Sequence, residues 1–238
     1  VNTPSENILL KNMGKPIYSI TPFTLLDYPD KTACIIWFAG CNMRCTYCYN
    51  PDIVLGKGNI TVDEVAIFLK KRAGLLDGVV FSGGECTLYP EIFSLAQLVK
   101  DAGMLVKIDT NGTRPDVIRQ LAASGLMDYV ALDYKAPPEK LKAITGFEDF
   151  TAVGKTVKIL LDYNVTFEVR TTVHSKQLHD DDLVTMNQQL YDLGYKGVHF
   201  IQYFQNTGNT LRAMGKSTKK DINPSVDLCP LTISYRNT

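Results

Sequence analysis

Three cysteines within eight residues, Cys41, Cys45 and Cys48 in the run CNMRCTYC, are the densest metal-binding chemistry in this 238-residue chain. Thiolates bind iron–sulfur clusters and zinc. A cubane cluster has four irons, so three sulfurs would leave one iron open to another ligand, and an open iron is a catalytic feature. Structural zinc normally has four ligands and a second CxxC or CxxH pair; no such pair is visible, although Cys34, Cys86 or Cys229 could supply a fourth thiolate in space. A redox CxxC at Cys45 and Cys48 would be expected to open a helix in a thioredoxin-like unit, and it leaves Cys41 without a role.

Further polar residues sit where apolar runs end. Ser82-Gly83-Gly84-Glu85 follows one such run: paired glycines let backbone approach a ligand closely, and the Glu85 carboxylate can neutralise an ammonium group. Alone, the glycines would read as a tight turn beside a solvated acid. Asp109-Thr110-Asn111-Gly112 and Asp133-Tyr134-Lys135 follow two more runs. Asp109 and Asn111 also suit a turn that caps itself, and Lys135 suits either a pocket or a solvated surface. Arg170 falls within an apolar run, where an unpaired guanidinium is costly, so it is expected to pair with a ligand carboxylate, Glu168 or another acid. His199 and Cys34 read as core residues. Cys86 reads as a small, partly buried residue, with a redox thiol as the alternative; Cys229 has no interpretable spacing.

The CxxxCxφC pattern with its aromatic at Tyr47, followed by the Gly83-Gly84-Glu85 motif, resembles the radical S-adenosylmethionine (SAM) superfamily. The DTNG and DYK runs resemble a narrower group, the glycyl-radical-enzyme activases, and within it the anaerobic ribonucleoside-triphosphate reductase activating proteins. The similarity runs from about Tyr18 to Asn209. It implies a partial (β/α)6 barrel of parallel strands with outer helices, and a [4Fe–4S] cluster on Cys41, Cys45 and Cys48. It also implies SAM contacts from Tyr47, Ser82, Gly83, Gly84, Glu85, Asp109, Thr110, Asn111, Asp133, Lys135 and Arg170. In that group the Asp-Thr and the later Asp can hold a monovalent cation. The implied reaction is reductive cleavage of SAM to a 5′-deoxyadenosyl radical, which takes a hydrogen from a glycine of another protein, with a flavodoxin- or ferredoxin-like electron donor. Two other readings compete: a radical SAM enzyme for a small molecule, resembling carboxy-deazaguanine synthase, and a zinc-stabilised interaction module without catalysis.

Such a site needs elements to position it, and the hydrophobic pattern supplies them. Apolar, β-prone runs at 33–38, 78–82, 105–109, 129–133, 166–171 and 197–203 predict six strands, each short enough to be buried on both faces. Between them lie helical patterns: Thr61 to Leu76 with a Thr61–Glu64 capping box, a helix opened by Pro90 and stopped at Gly103, and another from Pro115 to about Gly125. Two more run from about Thr151 to Tyr163 and from Asp180 to Leu193. Alternating βα units predict a parallel sheet, and six are too few to close a full barrel. The cysteine run and the polar motifs then fall at strand carboxyl ends, where such folds carry their chemistry.

Composition sets the remaining bounds. Twenty-five Lys+Arg balance 25 Asp+Glu, so no global field draws the chain to nucleic acid or anionic lipid. With 45% hydrophobic and 21% charged residues the chain reads as globular. No apolar run approaches the roughly 20 residues needed to cross a bilayer, and the first residues do not read as a secretory signal, so a cytoplasmic location is expected. The organisation expected is an N-terminal arm (1–17), the barrel (18–209) and a tail (210–238) with basic Lys216, Lys219 and Lys220.

Overall fold

Side chains alternate across a strand, so each run buried on both faces must meet helices on one side and a lumen on the other. The computed structural model describes residues 15–206, 209–218 and 231–237. Its strands are β1 (Ile17–Thr24), β2 (Ala33–Phe38), β3 (Gly78–Gly83), β4 (Leu105–Thr110), β5 (Tyr129–Asp133), β6 (Thr166–Val173), β7 (His199–Tyr203) and β8 (Ile233–Arg236). They form one sheet in sequence order, with β1 antiparallel to β2 and every later neighbour parallel. Among the described residues β1 and β8 are the unpaired ends, and the sheet is the expected parallel, partial barrel.

The helices are α1 (Pro51–Leu55), α2 (Val62–Lys70), α3 (Glu91–Asp101), α4 (Pro115–Ala123), α5 (Pro138–Thr145), α6 (Thr151–Asp162) and α7 (Asp180–Asp192). The capping box of α2 forms as predicted: Glu64 N–H donates to Thr61 Oγ1 at 3.2 Å and Thr61 N–H donates to Glu64 Oε2 at 2.8 Å. The apolar stripe of α3, Ile92, Leu95, Ala96 and Val99, is buried, as are Leu183, Met186 and Leu190 of α7. They pack against the outward positions of the sheet, among them Cys34, Ile36, Phe38, Val79, Phe81, Val106 and Ile108.

The lumen is lined by the alternate set. Ala33, Ile35 and Val80 form a second cluster with Tyr28, flanked by Trp37, Leu105 and Tyr129. Tyr28, from the β1–β2 connection, lies against the Tyr129 ring at 5.9 Å between centroids and fills the space beside Gly78. That plugs the amino-terminal end of the strands, so a ligand must enter at their carboxyl ends.

Four elements were not anticipated. β1 is an irregular edge strand with register shifts after Ile17 and after Thr21, and it contains Pro22, which an edge tolerates. β8 lies in the segment set apart as a tail. α1 and α5 have five and eight residues, too short to show a helical period. Cys229, Lys219, Lys220 and residues 1–14 of the predicted arm lie outside the described residues. No helix among the described residues is long and apolar enough to cross a membrane.

Candidate active site

The cysteine loop leaves β2 through Ala39-Gly40 and is clamped on both sides. Its Arg44 and Thr46 N–H groups donate to Thr145 O and Ile144 O at 2.6 and 3.0 Å, at the end of α5. From the other side Leu211 N–H donates to Cys48 O and Arg212 N–H to Thr46 O, both at 3.1 Å, and Gln177 Nε2 donates to Thr46 Oγ1 at 2.6 Å. The three thiols therefore stand on a backbone fixed by α5, the connection between β6 and α7, and the segment after β7. Cys41 Sγ accepts the Met43 N–H at 3.3 Å, a bond suited to stabilising a thiolate.

Burial, and next the Glu85 charge, pushes the Cys41 thiol up to about 12, and burial also raises Cys45. Redox CxxC chemistry needs a depressed thiol, so the alternative of a bare redox pair is not supported. Among the described residues no three His, Cys, Asp or Glu side chains gather closely enough to hold one metal ion. Tetrahedral zinc, with Zn–S bonds of about 2.3 Å, brings its thiolates within roughly 4 Å of one another. A cubane takes each thiolate on a different iron and accepts a wider spread, so the loop suits the cluster better than zinc.

The paired glycines have a reason visible in the backbone. Gly84 N–H donates to Phe38 O and Glu85 N–H to Gly40 O, each at 2.9 Å, so the end of β3 lies directly on the start of the cysteine loop. A Cβ on Gly84 would stand 1.7 Å from Gly40 O, and Gly83 has φ +122° with Phe38 backbone atoms at 2.3 and 2.4 Å from its would-be Cβ. Here the close approach is between two backbones.

Glu85 is buried and accepts four hydrogen bonds. Oε1 accepts Thr87 N–H at 3.2 Å, Thr87 Oγ1 at 2.5 Å and Thr110 Oγ1 at 2.8 Å, while Oε2 accepts Asn111 N–H at 2.7 Å. Burial nevertheless raises its pKa, the hydrogen bonds opposing that shift. Asn111 joins the two loops: its Nδ2 donates to Asn42 Oδ1 at 3.0 Å, and its Oδ1 caps its own turn by accepting Thr113 N–H at 3.0 Å. The self-capping turn expected of the DTNG run is present at Asn111.

Asp133 is the ionic hub. Arg170 Nε donates to its Oδ1 at 2.9 Å and Lys135 Nζ to its Oδ2 at 3.0 Å. Burial pushes the Asp133 carboxyl up, and Arg170 and Lys135 outweigh this to bring it down to about 2. The acid that Arg170 pairs with is therefore Asp133; Glu168 instead takes Arg236 of β8, at 2.9 Å. Lys135 also stands 6.0 Å from the centroid of the buried Tyr47 ring. The Tyr47 hydroxyl is buried and has no hydrogen-bond partner among the described residues, an unmet group at the wall of the site.

All of these converge. Cys41, Cys45, Tyr47 and Cys48 from the loop, Ser82 to Glu85 after β3, Asp109 to Asn111 after β4, and Asp133, Lys135 and Arg170 line one cavity of about 260 Å³ at the strand carboxyl ends. Trp37, Asp27, Thr172 and Gln202 also line it and were not anticipated. Thr172 and Gln202 were findable, since they continue the alternation of β6 and β7; Asp27, in a connection, gave no signal. His199 is fully buried, as expected, and lies outside the cavity lining. Cys86 is fully buried, with Sγ 3.4 Å from Asp109 O, and burial raises its thiol well above the usual range.

Known proteins agree with this geometry. The model of the radical SAM superfamily matches residues 35–188. The chain is 34% identical over 227 residues to a Methanocaldococcus jannaschii protein named as a glycyl-radical enzyme activating enzyme, covering 87% of this chain and 92% of that one. It is 34% identical over 160 residues to the pyruvate formate-lyase-activating enzyme of Clostridium pasteurianum, covering 62% of this chain and 66% of that one. For the Escherichia coli pyruvate formate-lyase 1-activating enzyme the identity is 29% over 200 residues, with 79% and 80% covered. Among solved structures, Streptococcus suis SuiB bound to S-adenosylmethionine gives a TM-score of 0.61 at 13% identity, covering 76% of this chain and 44% of that one. Native anSMEcpe with bound AdoMet gives 0.57 at 21%, covering 75% and 52%. These two likenesses concern the fold, and the chain spans about half the length of those proteins. The superfamily works with a [4Fe–4S] cluster and SAM, and the thiols, the orphaned Tyr47 hydroxyl and the charged wall suit both. On the family match and the near full-length relative, this chain belongs to the radical SAM superfamily.

Proposed function

We propose that this protein activates a glycyl-radical enzyme, with an anaerobic ribonucleoside-triphosphate reductase as its substrate. The observation that carries the reading is the convergence on one cavity of the fourteen residues that the resemblance assigns to the cluster and SAM. Relatives named for glycyl-radical activation support the class of substrate.

In this reading Cys41, Cys45 and Cys48 would hold the cluster. When bound, the cluster and SAM supply reductive cleavage of a carbon–sulfur bond and hence a carbon radical able to take an unactivated hydrogen. The chain's own residues bind and orient. Glu85 Oε2 has one protein donor against three on Oε1, which leaves it an acceptor site for the ammonium of the methionine portion. Lys135 and Arg170 would supply positive charge for the ligand carboxylate, and Tyr47 would offer its ring and unmet hydroxyl. Walls of buried side chains keep water from the reacting carbon.

The test is anaerobic incubation with purified ribonucleoside-triphosphate reductase, SAM and a reductant, followed by electron paramagnetic resonance. A glycyl-radical doublet on the reductase is expected. A doublet on pyruvate formate-lyase alone would reassign the substrate, and no doublet on either would refute the proposal.

A further inference from the structure

The resemblance assigns Asp109 and Asp133 to a monovalent cation, but both already have cations of this chain against them. Asp133 holds Arg170 and Lys135. Asp109 accepts Ser82 Oγ on Oδ2 at 3.2 Å, has the Arg170 guanidinium 3.7 Å from the same oxygen, and forms a close ion pair through Oδ1 with Lys107.

Lys107 comes from beneath the cavity. It precedes Asp109 by two residues on β4 and so shares its lumen face. Its side chain is 2% exposed, and its ammonium stands 6.0 Å from the Tyr129 ring centroid. Asp109 is its sole carboxylate partner in hydrogen-bonding range among the described residues. An ammonium so far from water requires such an anion.

The oxygens of both carboxylates are already engaged by cations of this chain, and a potassium or sodium ion would have to displace these ammonium and guanidinium groups from the oxygens it needs. The residues present therefore do not fit an inorganic cation.

We propose that Lys107 is the built-in cation of this pocket: its ammonium holds the Asp109 carboxylate in the place the resemblance gives to a monovalent ion, so this protein binds SAM without one. The inference rests on the reading of the cavity as a SAM site. Lys107 acts through Asp109 and is a positioning residue.

The experiment is equilibrium dialysis of SAM against anaerobically reconstituted protein in potassium, sodium or tetramethylammonium chloride at equal ionic strength. Tetramethylammonium is too large to take the place of a bound ion. The unmodified protein should bind SAM equally in all three. Lys107→Met should match it in potassium or sodium and bind about tenfold more weakly in tetramethylammonium. Lost affinity of the unmodified protein in tetramethylammonium would overturn the inference without any variant. Lys107→Met equally weak in all three salts, or unaffected in all three, would also overturn it, the first by showing a purely structural role. If Lys107→Met fails to fold, Lys107→Arg, which keeps the charge, must remain indifferent to the salt. An unmodified protein that binds no SAM in any salt would instead refute the site itself.

Discussion

The Glu85 carboxylate accepts the Asn111 backbone N–H at 2.7 Å, and this bond ties the loop after β3 to the loop after β4 across the floor of the site. A backbone donor cannot turn away. In Glu85→Gln the hydroxyls of Thr87 and Thr110 can reorient, but the new amide must either face a backbone N–H or leave a buried acceptor bond unmade. The expected loss is about 1–3 kcal/mol of stability, together with weaker SAM binding. Denaturant titration and equilibrium dialysis check both, and an unchanged variant would count against the tie.

Gly84→Ala tests the contact between the strand end and the cysteine loop. Its Cβ would meet Gly40 O at 1.7 Å, and the obstacle is backbone, which cannot rotate aside. Forced separation of the two segments should cost about 3 kcal/mol and lower the iron content of anaerobically purified protein. Retention of iron at the level of the unmodified chain would show that the loop does not depend on this approach.

His199 should make stability pH-dependent while leaving chemistry untouched. Thr171 Oγ1 donates to Tyr134 O at 2.8 Å, so it must accept from His199 Nε2, also at 2.8 Å. Nδ1 is then the bare nitrogen, buried without a partner. Burial lowers the His199 pKa from 6.5 to about 4. A depressed folded-state value means the unfolded chain binds the proton first as pH falls. The stabilisation is complete above pH 6.5 and is lost towards pH 4, with roughly 2 kcal/mol gone by pH 5. Denaturant titrations at pH 7.5 and 5.0 should give His199→Gln a smaller pH dependence by about that amount. Identical slopes would mean the imidazole is not buried and neutral.

Much of this was legible because it followed from pattern. Runs such as ACIIWF and GVVFSG could only be buried strands, and once they stood in parallel, the residues just beyond each one had to share an end of the barrel. Lys107 was not legible: a lysine inside a strand reads as a solvated edge until the pairing of β4 between β3 and β5 shows that it has no water to face. Arg236 escaped for a different reason, since β8 is four residues long and gains its identity only by pairing with β7. The partner of Arg170 depended on register. Asp133 lies beside it across β5 and β6, a relation that no spacing along the chain reveals.

Cys86→Ala separates the three cysteines proposed as ligands from another buried cysteine beside them. Cys86 is buried beneath Asp109 with a strongly raised thiol, and only its packing should be lost. The variant should keep its iron and lose about 1 kcal/mol of stability. A fall in iron equal to that of Cys45→Ala would make Cys86 a ligand.

The most direct measurement of the central claim is the formation of 5′-deoxyadenosine by anaerobically reconstituted protein given SAM and dithionite, with iron and sulfide determined on the same sample. About four of each per chain and steady 5′-deoxyadenosine release are predicted, both abolished in Cys41→Ala, Cys45→Ala and Cys48→Ala. Protein without an iron–sulfur centre that leaves SAM intact, or undiminished cleavage after all three substitutions, would contradict the account.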